Sequence, residues 1–248
     1  PRGTPAAGGR LMPHRSPTRH GLTPQGRGRF PGFDVLDSVP AWDEVTAGAV
    51  LSRLVLPGEL AFFTPHEVGV AAPLLDLLLA QDDEPRVPVL ALIDARLAVG
   101  ETDGWHYDDL PEDGEAWRTS LVFLDDDARR ANSGRGFAEL VTSEQAALVQ
   151  AVQDLSQDVK PWHDWPAKHV WSLWTRYACT AFYSHPYAWN EIGFPGPAYP
   201  RGYLNPGVDA REHWEAADRD DVDPVRFAER AETARKEHAR LIERDGTT

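Results

Sequence analysis

The sequence predicts an all-α protein: an irregular helical bundle with a long N-terminal arm and an aromatic, Pro- and Gly-rich C-terminal extension. Apolar side chains recur at helical spacing through much of the region between residues 43 and 183. No segment alternates apolar and polar residues over five positions, so no strand is predicted. Pro and Gly are concentrated on both sides of this region. These observations divide the chain into an arm (1–32), a bundle (33–183), an aromatic segment (184–223) and a charged helix (224–248).

The arm is basic, although the protein as a whole is acidic. The chain carries a formal net charge of −14, whereas residues 1–33 contain six arginines and no Asp or Glu. A segment rich in Pro, Gly and Arg buries too little apolar surface to fold by itself. We therefore expect the arm to lie against another surface, either the acidic body of this chain or a partner subunit.

The first helices of the bundle have clear start signals. Residues 43–54 carry apolar side chains at helical spacing and follow a proline. Thr64 can cap a second helix, with Pro65 at its first position and Glu67 completing a capping box. A third helix is predicted over residues 88–99, because a proline precedes it and a glycine follows it.

Three further helices are predicted in the second half of the bundle. They cover residues 115–130, 142–155 and 166–183. Thr142 is predicted to cap the second of them, again as part of a capping box. The third is the most apolar, and Cys179 within it is expected to be a buried, inert thiol.

The familiar catalytic and metal-binding signatures are missing from the sequence. A single cysteine excludes thiolate zinc sites and Cys-ligated iron–sulfur clusters. No Glu is followed by a His three residues later, the spacing that a di-iron helical bundle requires. Gly-x-Ser-x-Gly and the phosphate-binding P-loop motif do not occur. We predict no catalytic, cofactor-binding or metal-binding residue. A stand-alone enzyme with a site built from scattered His and Asp is kept as an alternative.

The most distinctive segment spans residues 182–203, where aromatic side chains are set in a Pro- and Gly-rich backbone. A stiff backbone with flat side chains gives a surface that loses little entropy on binding. Aromatic residues and Arg are also typical binding hot spots. The alternative is a loop that folds back onto its own bundle. The predicted partner-binding residues are Arg19, Arg27, Arg29, His185, Trp189, Asn190, Glu191, Phe194, Tyr199, Arg201 and Tyr203.

Several stretches of the chain resemble the gluconate 2-dehydrogenase subunit 3 family. They are the helix start at 63–67, the tetrapeptide Tyr-Ser-His-Pro at 183–186 and the run Trp-Asn-Glu-Ile-Gly-Phe-Pro-Gly-Pro at 189–197. An early stretch at 29–48 also fits the family. The resemblance covers roughly residues 29–215, and residues 183 to 203 are its most specific part.

The resemblance implies a small subunit without catalytic residues, paired with a large flavoprotein of the glucose–methanol–choline oxidoreductase class. The large subunit would hold FAD and oxidise a sugar, a polyol or a related alcohol. FAD is therefore expected in the partner, and no cofactor is expected in this chain. The small subunit would support the folding, stability or export of its partner.

Charge and hydropathy limit the other partners. An acidic body argues against nucleic acid or an anionic membrane as the main partner. No apolar run approaches the roughly 18 residues that span a bilayer, so direct membrane insertion is not expected. A nucleic-acid-associated protein that uses the basic arm is a further alternative. No secretory or twin-arginine signal is recognised. A cytoplasmic location is expected, with export together with the partner left open.

Overall fold

The computed structural model describes residues 30, 33–55, 58–82, 86–207 and 210–216. These residues form a helical bundle with one very short hairpin, which confirms the predicted all-α class. The predicted basic arm, apart from Phe30, lies outside the described residues, and so does the predicted charged helix at 224–248. Among the described residues, no helix combines the length and apolarity that crossing a bilayer requires.

The elements follow one another in a simple order along the chain. They are a first 3-10 helix (Val35–Ala41), α1 (Glu44–Ser52), α2 (Pro65–Leu79), α3 (Val89–Ala98), α4 (Asp113–Ala131), a second 3-10 helix (Phe137–Glu139), α5 (Thr142–Gln157), β1 (Pro161–Trp162), β2 (Trp165–Pro166), α6 (Ala167–Ser184) and α7 (Pro186–Ile192). The two strands pair antiparallel, with Trp162 opposite Trp165. The hairpin and α7 were not predicted, because two-residue strands and a seven-residue helix are too short to show a period.

The start of α2 confirms the predicted capping box. The Thr64 hydroxyl accepts the Glu67 N–H at 3.3 Å, and the Glu67 carboxylate accepts the Thr64 N–H at 2.7 Å. Pro65 occupies the first helical position, where its missing N–H costs nothing. The local sequence is therefore enough to fix where this helix begins.

The predicted cap of α5 is wrong by one residue. Thr142 is the first helical residue, and Val141 precedes it as the capping position. The Glu144 carboxylate accepts the Val141 N–H at 3.2 Å and also pairs with Arg135 at 2.8 Å. The backbone at Val141 is already extended where it leaves the second 3-10 helix. The preceding element, rather than the threonine, therefore decides the start of α5.

Helix α6 is the centre of the bundle and packs against α2, α3, α4 and α5. The core around it contains the fully buried Trp117, Trp174 and Tyr177. The Trp174 indole N–H donates to the Ser120 hydroxyl at 2.9 Å, and that hydroxyl donates to the Trp117 carbonyl at 2.9 Å. Buried tryptophans need such partners, so this polar chain fixes α6 against α4.

The prediction that Cys179 is buried is wrong, because the side chain lies on the exposed side of α6. Although α6 is the most apolar helix predicted, its core-facing stripe does not cover the whole circumference. Partial burial still raises the pKa of the Cys179 thiol. The thiol is therefore exposed but not activated as a nucleophile.

Asp94 on α3 holds the segment that leads into α2. Its buried carboxylate accepts the backbone N–H groups of Ala61, Phe62 and Phe63 at 2.7, 3.0 and 2.8 Å. Three donors that converge on one carboxylate replace the water that burial removes. The Phe63 ring is thereby held edge-on against Trp117, with 6.1 Å between the ring centroids.

We expect Asp94→Ala to lower the free energy of unfolding by about 3–5 kcal/mol, because it leaves three backbone N–H groups without their acceptor. Equilibrium unfolding in urea measures the change. The control is Asp126→Ala on α4, a half-exposed carboxylate 3.7 Å from Arg130, which should cost less than about 1 kcal/mol. Equal losses in the two variants would contradict the role given to Asp94.

Candidate functional site

A second, smaller hydrophobic core lies beside the bundle. It is formed by Val35, Trp42, Val50 and Trp189. The first three belong to residues 33–55, which we call the N-terminal strap, and Trp189 belongs to α7. The strap and α7 thus share a core of their own, although they come from opposite parts of the chain.

The sequence between α6 and α7 forms a one-residue break. His185 is extended, and its Nδ1 accepts the Tyr187 N–H at 3.1 Å, which caps α7. Pro186 stands at the first position of α7, where its fixed φ favours a helix start. Gly193 ends α7 with a left-handed φ of 65°. His185 therefore ends α6 and, together with Pro186, begins α7.

Three long-range hydrogen bonds fasten the strap to α7 and its neighbours. The Asn190 side-chain oxygen accepts the Val35 N–H at 2.8 Å. The Trp42 indole N–H donates to the Pro197 carbonyl at 2.8 Å, and the Arg53 guanidinium donates to the Ser184 carbonyl at 2.9 Å. These bonds join positions that are 131 to 155 residues apart in sequence.

Two glycines, Gly193 and Gly196, leave space for aromatic rings from the N-terminal part of the chain, and we call them the socket glycines. A Cβ at Gly193 would lie 2.6 Å from the Phe30 ring, and a Cβ at Gly196 would clash with the Trp42 ring. Both glycines have positive φ, 65° and 79°. Glycine is therefore required twice over, for the backbone conformation and for the close approach of a ring. Phe30 and Trp42 rest directly on the backbone that follows α7.

The predicted partner-binding residues divide into groups in the structure. His185, Trp189, Asn190 and Glu191 are buried within this chain. Here the alternative expectation, a segment that folds back on its own chain, describes what the structure shows. Binding of a partner through these four residues stays a prediction. The large exposed side chains of the set are Phe194, Tyr199 and Tyr203. Arg19, Arg27 and Arg29 lie outside the described residues.

Arg201 has an internal structural role. Its guanidinium lies over the Trp214 ring at 4.8 Å and donates to the Pro195 carbonyl at 3.1 Å. Burial lowers the pKa of this guanidinium. The Gly202 N–H donates to the Ala198 carbonyl at 2.7 Å in the same turn. The backbone between residues 195 and 203 is therefore fixed by contacts of its own.

Two His–Asp pairs that sequence reasoning did not foresee hold loops onto helices. His163 lies 2.8 Å from Asp127 and ties the hairpin to α4. His169 on α6 lies 2.7 Å from Asp109 in the loop before α4, and its ring stacks on Tyr107. No group of three or more His, Cys, Asp or Glu that could hold a metal occurs in the described part of the chain.

A cleft of about 440 Å³ lies between α3 and α6 and is lined in part by Arg96, Asp103 and Tyr177. Arg96 and Arg176 both pair with Asp103, and the Tyr177 hydroxyl donates to Asp113 at 2.7 Å. Burial raises the pKa of Tyr177. These polar groups are therefore held by ion pairs and hydrogen bonds within the chain.

We expect His185 to make stability depend on pH. Burial lowers the pKa of His185 from 6.5 to about 4, so the unfolded chain binds a proton at a higher pH than the folded chain. The contribution of neutral His185 to the free energy of unfolding is complete above pH 6.5. It is lost as the pH falls towards 4, which lowers the free energy of unfolding by up to about 3 kcal/mol. Urea unfolding at pH 7.5 and pH 4.5 measures this loss.

The control is His185→Asn, because Asn can still accept at a helix N-cap but does not titrate. Between pH 7.5 and pH 4.5, the free energy of unfolding of this variant should fall by about 2–3 kcal/mol less than that of the native chain. If both proteins lose the same amount, His185 is not the group responsible.

We also expect Gly193→Ala to loosen the strap, because the new methyl group meets the ring of Phe30, whose carbonyl accepts the N–H of Phe33 at the start of the strap. The control is Gly202→Ala, which has a similar φ of 68° but no atom within 4 Å of the added Cβ. Because Ala disfavours a positive φ, both changes lower the free energy of unfolding by about 1 kcal/mol. The clash with Phe30 lowers it by about 1–3 kcal/mol more at Gly193 alone. Hydrogen exchange at the Val35 amide should accelerate in Gly193→Ala only. Acceleration in both variants would contradict the claim that the contact between Phe30 and Gly193 holds the strap.

The family model described as Gluconate 2-dehydrogenase subunit 3 matches residues 65–196. The matched stretch runs from the start of α2 through α7 and includes both socket glycines, whereas the strap precedes it. No curated protein and no solved structure matches the chain. Because the match covers more than half of the 248 residues, the chain belongs to the gluconate 2-dehydrogenase subunit 3 family.

Proposed function

We propose that this chain is a non-catalytic small subunit that binds and stabilises the large, FAD-containing subunit of a dehydrogenase acting on the CH–OH group of a sugar or related alcohol. Membership of the family makes it a subunit of a dehydrogenase complex. The single observation that carries the finer proposal is a group of large apolar side chains exposed on a rigid backbone just after α7.

This exposed group has five members, which we call the aromatic face. They are Ile192, Phe194, Tyr199, Tyr203 and Leu204, with exposed fractions of 49%, 37%, 65%, 55% and 73%. Large apolar side chains that are exposed close together in the chain are candidates for a site of association. Tyrosines in particular are frequent binding hot spots, because they bury a large area with few rotatable bonds.

The backbone that carries the aromatic face is held before any partner arrives. Phe194 packs edge-on against Trp189, with 5.3 Å between the ring centroids. Trp42 and Arg201 fix Pro197 and Pro195 through their carbonyl groups. A surface that is already ordered loses little conformational entropy on binding, which supports an interface at this position.

The interior of the chain supports a binding role rather than a catalytic one. Its His–Asp pairs hold loops onto helices, and the charged groups of the α3–α6 cleft pair with one another. In this proposal FAD and the catalytic groups belong to the large subunit. An obligate pair of subunits would bury more than about 2,000 Å² in total.

Affinity purification of the tagged chain from its own host tests the proposal. We expect a yellow complex with flavin absorption bands and a heavier polypeptide, from which FAD is released on denaturation. A monodisperse, well-folded monomer without flavin would contradict it. A metal or cofactor enclosed by this chain alone would instead favour a stand-alone enzyme.

We expect the double variant Tyr199→Ser, Tyr203→Ser to weaken retention of the flavoprotein about tenfold or more, because each tyrosine supplies about 1–2 kcal/mol at an interface. Flavin absorbance retained per tagged chain is the readout. The control is Val99→Ser, Val122→Ser, two exposed valines near α3 and on α4. Both variants should unfold at the temperature of the native chain, and equal retention by both would refute the assignment of this face.

A further inference from the structure

Helix α1 is mostly apolar all round, but this chain buries only one side of it. Its sequence from Val45 to Ser52 contains no charged residue. Val50 is the one buried residue of the helix, and it lies in the small core together with Trp189. A helix that is apolar all round is normally buried. The packing among the described residues therefore leaves one side of α1 uncovered.

The uncovered side of α1 lies opposite Val50, as the 3.6-residue turn of a helix requires, and we call it the outer face. It consists of the exposed residues Val45, Gly48, Ala49, Leu51 and Ser52. Val45 is 79% exposed, and Val55, which follows the helix, is exposed as well. A Cβ added at Gly48 would meet nothing within 4 Å. The described part of the chain thus leaves this face open to the close approach of another backbone.

The backbone of α1 gives it little stability of its own. Isolated helices shorter than about 12–15 residues are marginal in water, and α1 has 9 residues. Val, Thr and Gly, which make up much of it, are weak helix formers. The Asp43 carboxylate caps the helix by accepting the Thr46 N–H at 2.8 Å. Tertiary packing must supply the remaining stability, so a partner that covers the outer face would also stabilise α1.

Helix α1 and the aromatic face are neighbours in the fold. Arg53, which follows α1, lies over the Trp189 ring at 5.9 Å. Phe194 of the aromatic face packs edge-on against the same ring, with 5.3 Å between the centroids. Ala49 stands one helical turn before Arg53 and forms the edge of the outer face on that side. A partner that extends past Phe194 therefore meets α1.

The aromatic face alone is too small for an obligate interface. Large side chains bury about 150–250 Å² each, so the exposed fractions of its five members leave roughly 500 Å² for a partner. An obligate pair of subunits buries more than about 1,000 Å² on each side. The outer face of α1, together with Val55, is apolar surface beside the aromatic face. It supplies part of the area that an obligate interface still needs.

We propose that the outer face of α1 is a second part of the surface that binds the large subunit, and that it packs against an uncharged, aliphatic patch of that subunit. This inference rests on the proposed function and extends its interface beyond the aromatic face. A charge placed opposite residues 45–52 would be buried without an opposite charge to pair with, which is costly. The matching patch of the large subunit therefore lacks Asp, Glu, Lys and Arg.

The test makes the outer face polar without changing its charge. The variant Val45→Gln, Ala49→Gln keeps residues that form helices well, but in the complex it buries two amide groups that lose their hydrogen bonds to water. The control is Val122→Gln, Ala131→Gln, the same two substitutions at exposed positions of α4. Flavin absorbance retained per tagged full-length chain is measured for both variants and for the native chain.

We expect the α1 variant to retain at least about tenfold less flavoprotein than the native chain, and the control to retain as much as the native chain. Hydrogen exchange at the amides of residues 47–52 of the native chain should slow when the flavoprotein is bound. Native-like retention by the α1 variant overturns the inference. An equal loss in the control, or exchange that does not change on binding, overturns it as well.

Two other outcomes would assign a different cover to the outer face. A lower unfolding temperature of the α1 variant in the absence of flavoprotein would place this face against the chain itself. A native chain that forms a dimer by itself, and an α1 variant that is monomeric, would place a second copy there. Either result overturns the inference.

The same measurements separate this inference from the proposed function. If the native chain retains no flavoprotein, the proposed function itself fails. If Tyr199→Ser, Tyr203→Ser releases the flavoprotein and the α1 variant does not, the function stands and only the contact at α1 is wrong.

Discussion

The candidate site depends on two aromatic rings that lie against glycine backbone. Phe30 and Trp42 occupy positions where any Cβ on Gly193 or Gly196 would collide with them. Because ring and backbone approach so closely, Phe30 and the strap cannot move independently of the chain after α7 without losing these contacts. The Asn190 side chain adds a hydrogen bond to the same contact. This arrangement fixes the backbone that presents the aromatic face.

The bundle supplies the rigid base for this arrangement. Helix α6 runs through its centre, and α7 follows after the single residue His185. The direction of α7 is therefore set by a helix that is itself held by four others. Elsewhere in the bundle, the Asp94 carboxylate accepts three backbone N–H groups and thereby holds the segment that leads into α2. The buried carboxylate of Asp94 thus joins two separate segments of the bundle.

The polar groups inside the chain and the side chains at its surface after α7 are used in different ways. Inside the chain, acidic groups pair with Arg, with His or with backbone N–H groups, as at Asp103, Asp127 and Asp94. Such pairs stabilise the structure by joining separate segments of the chain. At the surface after α7 the large exposed side chains are apolar, and no acidic residue is present from 192 to 208. A surface of this composition supports association.

The sequence by itself determined the features that depend on neighbours a few residues apart. The capping box at Thr64, the succession of helices between residues 43 and 184 and the family resemblance all rest on such local patterns, and the structure or the family match confirms them. Only the tertiary structure decided that Trp189 and Asn190 face the strap, that Cys179 faces outward and that Val141 precedes α5. Burial depends on which distant segments pack together, and the hydrogen bonds that join the strap to α7 and its neighbours link positions 131 to 155 residues apart. No local pattern encodes a partner at that separation, which is the physical reason for this limit.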